Sequence, residues 1–88
     1  MRKRVTFRGR VQGVGFRATA RSVARAHPVT GWVRNEPDGT VLLEVQGTEE
    51  AVDRYLEGLR GAMGRNIQDM DVILIPDVAG ESGFQIAY

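Results

Sequence analysis

The turn Glu36-Pro37-Asp38-Gly39 limits what this chain can fold into more than any other feature. It separates an apolar run that ends near Asn35 from one in which Val41, Leu43 and Val45 alternate. Proline presets the backbone of such a turn, and glycine supplies positive φ where it is needed. A link this short joins antiparallel neighbours, because parallel strands require a crossover of a dozen residues or more. The middle of the chain is therefore expected to be a hairpin, with one strand from Val29 to Asn35 and the other from Val41.

The segments on either side complete a pattern. Val5 and Phe7 alternate with Thr6 and Arg8, as in a strand. Phe16, Ala20, Val23 and Ala24 recur at helical spacing, and His27-Pro28 ends that helix because the residue before proline avoids the helical region. Thr48 is a good N-cap, with Glu49 and Glu50 at the positive end of a second helix striped by Ala51, Val52, Tyr55, Leu56 and Leu59. Gly58, Gly61 and Gly64 weaken the end of that helix. Met70 to Ile75 reads as a strand apolar on both faces, and Phe84, Ile86 and Tyr88 alternate in a short last one. The order β-α-β-β-α-β, plus a terminal strand, predicts an α+β fold. Its form is the ferredoxin-like sandwich, an antiparallel sheet with two helices on one face.

Composition bounds the function. With 88 residues the chain is expected to form a single domain, residues 1–88, around one core. It is 42% hydrophobic and 26% charged, as soluble globular proteins are. A formal net charge of +1 argues for neither nucleic acid nor membrane as a partner. The absence of cysteine excludes disulfides, thiolate nucleophiles and cysteine-based metal sites, and fits a reducing, cytoplasmic setting. The basic start Met1 to Arg4 is followed by no apolar signal region, and no run approaches the length of a membrane span.

The stretch Gly9-Arg10-Val11-Gln12-Gly13-Val14-Gly15-Phe16-Arg17 carries the chemistry. Gly13 to Ala18 fits the G-x-G-x-x-G/A form of a dinucleotide loop, but that fold needs parallel strands where this chain has a hairpin. A P-loop is excluded, since no Gly-Lys-Ser/Thr closes the stretch. A tight strand-to-helix connection would also call for glycine. Two further features favour a bound anion. The helix opens without Ser, Thr, Asp or Asn to cap its free N–H groups, and Arg17 lies at the end where the helix dipole disfavours a cation. An anion there would accept the N–H groups and neutralise Arg17, whose fork matches phosphate.

The loop contains no cysteine, serine or histidine to form a phosphoenzyme. An acyl phosphate needs little help, because its leaving group is a carboxylate of pKa about 4. Holding the phosphoryl oxygens and placing one water in line is then sufficient. Asn35, at a strand end before the turn, is either ordinary turn chemistry or an amide that orients this water. A substrate phosphoryl oxygen can take the water's proton, so activity should vary little with pH near neutrality. His27 reads as a mild helix C-cap. Arg2, Lys3, Arg4, Arg8 and Arg34 read as a solvated basic face, and Trp32 and Val33 as packing residues. Asp69 and Asp71 lack the companions a metal site needs.

These residues resemble the acylphosphatase family. Gly9 to Arg17 is similar to the family's first signature. Gly31-Trp32-Val33-Arg34-Asn35, followed by Asp38-Gly39-Thr40-Val41 and Gly47, is similar to the second. Phe84 to Tyr88 resembles its usual ending. His27-Pro28 departs from the family's common leucine-glycine, and residues 64–71 match loosely.

The resemblance implies that Arg17 is the phosphate-binding catalytic arginine and Asn35 the water-orienting asparagine. The cradle would be the N–H groups of Gln12, Gly13, Val14, Gly15, Phe16 and Arg17. It further implies a metal-independent, cofactor-free monomer that converts acyl phosphate and water to carboxylate and phosphate.

The alternatives are a non-catalytic phosphate-binding module, such as stands at the front of hydrogenase-maturation carbamoyltransferases, and a ferredoxin-like RNA-binding domain. The second would need base-stacking aromatics on the central strands, where Phe7 is the sole aromatic of the first and Val41 to Val45 has none. No cysteine-rich continuation follows Tyr88, which favours a stand-alone enzyme over the first.

Overall fold

The computed structural model describes all residues from 1 to 88. Seven elements follow the expected order: β1 (Arg2–Gly9), α1 (Phe16–Ala24), β2 (Thr30–Asn35), β3 (Val41–Gln46), α2 (Glu49–Met63), β4 (Ile67–Ile75) and β5 (Phe84–Ile86). They build one sheet of order β4-β1-β3-β2-β5. β1 is antiparallel to both β3 and β4, and β2 and β3 form the hairpin, with Asn35 opposite Val41. This is the ferredoxin-like arrangement. The short β5 adds a parallel pairing to β2, in the register Gly31 to Phe84 and Val33 to Ile86.

Alternation along the strands sets the core. Val5, Phe7, Val33, Leu43 and Val45 turn to the helical side and are fully buried. Phe16, Ala20 and Ala24 of α1 and Val52, Tyr55, Leu56, Leu59 and Met63 of α2 meet them. Each large side chain so buried contributes about 1.5–3 kcal/mol. The Thr48 hydroxyl caps α2 by accepting from the Ala51 N–H at 3.1 Å. The helix then runs through Gly58 and Gly61 to end at Met63, because its apolar stripe outweighs their weak propensity. The Tyr55 hydroxyl donates to the Ala20 carbonyl at 2.9 Å and ties the two helices. Burial pushes that hydroxyl's pKa up.

Four expectations need correction. Arg2 is not part of a solvated face. It is 1% exposed and held by Glu44 and Glu81, with N–O distances of 2.8 Å to each. The segment from β4 to β5 crosses the open sheet face above it, where Gln46 exchanges two hydrogen bonds with the Val78 backbone. His27 meets the end of α1 through its backbone alone, its N–H donating to the Ala24 carbonyl at 3.1 Å. Its ring instead stands edge-on to Tyr55, with centroids 6.3 Å apart. Tyr88 lies outside the last strand, fully exposed. β4 begins at Ile67, and its apolar residues are largely uncovered because it is an edge strand: Val72, Ile73 and Leu74 face solvent.

Candidate active site

The strand-to-helix loop is pinned at both ends. Phe7 near the end of β1 and Phe16 at the start of α1 pack with ring centroids 4.9 Å apart, and Val11 between them is buried. Gly13 and Gly15 take left-handed conformations at φ 73° and 78°. A Cβ at either position would meet nothing within 4 Å, so backbone conformation and not space calls for glycine there. Left-handed residues set between right-handed ones turn successive N–H groups toward one side, the arrangement of an anion nest.

Gly15 is the N-cap of α1 and offers no side chain to accept from the first turn, which also contains no acid. None of the N–H groups from Gly13 to Ala18 donates to another backbone group. The expected deficit at this helix start is therefore real, and it surrounds a cavity of about 170 Å³. Gly13, Gly15, Phe16, Arg17 and Asn35 line it together with Val11, Ala18, Ile86 and Tyr88. This is smaller than the roughly 300–1,000 Å³ of drug-sized ligand pockets and suits a phosphoryl group better than a large molecule.

Arg17 enters from the first turn of α1. It forms no ion pair with any carboxylate, and its guanidinium carbon sits 5.4 Å from the centre of the Tyr88 ring. Asn35 comes from the last position of β2 and lines the same cavity. Its Oδ1 is buried and has no hydrogen-bond partner in the protein. A buried acceptor left unpaired costs about 1–3 kcal/mol, which marks the position as one shaped for a donor. Arg17 and Asn35, separated along the chain, thus face one cavity together with the free N–H groups.

Gln12 and Val14 of the predicted cradle do not line the cavity. The Gln12 side chain turns away and donates to the carbonyls of Glu36 at 2.8 Å and Thr40 at 2.9 Å. It clamps the loop to the turn that carries Asn35. Ile86 and Tyr88 are wall residues that sequence reasoning placed only in a strand. The signal was their period-two spacing after Phe84, which says that they share a face but not that the face borders the loop.

Other expected bystanders remain apart. Asp69 and Asp71 are engaged by Arg8 at 3.4 and 2.6 Å. No group of three or more His, Cys, Asp or Glu side chains is placed to hold a metal ion. His27 borders separate cavities. No helix is long and apolar enough to cross a membrane. A larger cavity of about 530 Å³ between the end of α2 and the start of β4 has none of the loop residues in its walls.

Known proteins resemble the chain in sequence and in fold. The family profile "Acylphosphatase" matches residues 3–86. An acylphosphatase of Oceanobacillus iheyensis is 37% identical over 87 residues, spanning 97% of this chain and 96% of that protein. One of Salinibacter ruber is 42% identical over 87 residues, spanning 96% and 92%. The crystal structure of acylphosphatase from Bacillus subtilis aligns with a TM-score of 0.87 at 30% identity, covering 99% of this chain and 98% of that one. The profile spans the glycine loop, the hairpin and β5 alike, and with this fold beneath it the chain belongs to the acylphosphatase family.

Proposed function

We propose that Arg17 and the N–H groups of Gly13, Gly15, Phe16 and Arg17 hold the phosphoryl group of an acyl phosphate while Asn35 orients the water that attacks it. The chain is an enzyme that hydrolyses acyl phosphates to carboxylate and phosphate. The observation that carries this division of labour is the Asn35 Oδ1, a buried acceptor without a partner on the wall shared with Arg17. A water O–H donates to it, which fixes the water's lone pair toward phosphorus. The water oxygen bonds to phosphorus as the bridging oxygen–phosphorus bond breaks in line. The electron pair of that bond leaves with the carboxylate, and the water's proton passes to a phosphoryl oxygen. Arg17 and the loop N–H groups stabilise the equatorial oxygens throughout, which is where catalysis of phosphoryl transfer resides. One copy of the chain supplies every residue of the site, consistent with action as a monomer.

The test is hydrolysis of benzoyl phosphate in the presence of a chelator. Arg17→Ala should lower kcat/KM by about 10²–10³-fold, the range for removing one preorganised donor. Asn35→Ala should lower kcat strongly with KM nearly unchanged, because the amide touches the water and not the phosphate. Undiminished activity in both variants would overturn the assignment.

A further inference from the structure

Two separate cavities lie between α1 and the segment around β5. Around the phosphoryl cavity lie Arg17 and Ala18 of α1 with Ile86 and Tyr88 around the end of β5. Around the other, of about 360 Å³, lie Arg21 and Ala24 of α1 with Arg25, Phe84 and Gln85. Arg17, Arg21 and Arg25 recur every fourth residue and so lie along one helix face. None of the three is ion-paired, and α1 contains no acidic residue. On α2, by comparison, Arg54 reaches Glu50 one turn earlier at 2.6 Å, while Arg60 in its last turn is unpaired. Arg2, Arg4, Arg8 and Arg34 each have a carboxylate partner as well, whereas Arg10, Arg60 and Arg65 are unpaired but are not part of a row at this spacing. Like charges at this spacing weaken a helix. The helix dipole favours a cation in the last turn but does not require an unbroken row leading into the phosphoryl cavity.

We propose that Arg21 is a specificity-determining contact for a second anionic group on the acyl part of the substrate. The proposal rests on Arg17 and the loop holding the phosphoryl group, and it adds what reads the other end. One helical turn separates Arg17 from Arg21, about 6 Å along the axis. The acyl part leaves the cavity past Ile86 and Tyr88 and presents its anionic group to the Arg21 guanidinium. A carboxylate and a phosphoryl oxyanion both fit that planar fork.

Three substrates that share one ring test this: benzoyl phosphate, its para-carboxylate derivative and its para-phosphonate derivative. Arg21→Gln should lower kcat/KM for an anionic derivative by about threefold to fivefold, the reach of an exposed charge pair. It should leave benzoyl phosphate unchanged. The derivative that loses more identifies the anionic group. Arg25→Gln, a further turn away, should leave all three unchanged. Equal losses on all three substrates with Arg21→Gln, or no loss on any, would overturn the proposal. So would an Arg25→Gln effect as large as that of Arg21→Gln, which would reveal a general field and not a contact. Turnover of benzoyl phosphate by the unaltered chain reports separately on the phosphoryl site, so the two readings fail independently.

Discussion

Gln12 Nε2 donates to the Glu36 carbonyl at 2.8 Å, across 24 residues, and so binds the anion loop to the residue that follows Asn35. A second bond from the same atom to Thr40 closes the clamp. The two carbonyls keep other partners, since Glu36 also accepts from Gly39 and Thr40 from Glu36. Gln12→Ala should therefore cost about 1–2 kcal/mol of stability by denaturant unfolding, with no buried carbonyl left bare. Its larger effect should be on kcat, because the water bound by Asn35 loses its alignment with the phosphoryl group. Gln12→Glu should fare no better, since a carboxylate cannot donate. A kcat equal to wild type in both variants would remove Gln12 from the positioning machinery.

Gly15 and Gly31 predict opposite responses to one methyl group. At Gly15 the added Cβ finds open space, so Gly15→Ala is strained by its φ of 78° alone, about 1–2 kcal/mol. The variant should fold, and its affinity for inorganic phosphate should fall as the nest distorts. At Gly31 the Cβ would collide with the Glu44 carbonyl oxygen of the paired strand. Gly31→Ala should therefore fail to give a cooperative thermal transition. Circular dichroism melts of the two variants distinguish these outcomes.

Activity should vary little between pH 6 and 8. The assigned chemistry uses a guanidinium, backbone N–H groups and an amide, none of them a general acid or base of the kind that switches near neutrality. His27, the only histidine, packs on Tyr55 away from the cavity. His27→Gln should leave the kcat profile superimposable on wild type. A step in the wild-type profile that disappears in this variant would contradict the site assignment.

Stability should depend on pH on the acid side, through Arg2. Its hydrogen bonds hold the Glu81 carboxyl below the usual carboxylate range, with the Thr30 hydroxyl adding to the effect. For Glu44, burial acts to raise the pKa, but hydrogen bonds from Arg2 and Arg4 outweigh it and the net shift is downward. A depressed folded pKa stabilises above the unfolded value, about 4.3 for glutamate, and is lost as pH falls through the lower folded value. Unfolding free energy should thus decline from about pH 5 downward. Glu81→Gln should show a shallower decline, measured by urea titration at successive pH values. A decline as steep as wild type would show that the clasp over the sheet does not govern acid stability.

What the sequence disclosed and what it hid follow one physical division. Local signals sufficed for the elements: the Pro37-Gly39 turn, the Thr48 cap, the alternation of Val41, Leu43 and Val45. The uncapped Gly15 and the misplaced cation Arg17 are equally local, so the loop is legible in the sequence. Arg2 read as solvated because nothing near it in sequence reveals that residues 76–83 cross over it. The exposure of Ile73 and Leu74 was hidden for the same reason, since a strand does not state that it lies at an edge. Gln12 was identified for its backbone, whereas its side-chain partners lie in a distant turn. Ile86 and Tyr88 border the site only because β5 docks beside β2 and α1.

The central claim is that the loop and Arg17 present phosphorus, and not the carbonyl carbon, to the water held by Asn35. Single-turnover hydrolysis of benzoyl phosphate in ¹⁸O-labelled water, read by mass spectrometry of both products, tests it most directly. The account predicts one labelled oxygen in the phosphate and none in the benzoate; label in the benzoate would contradict it.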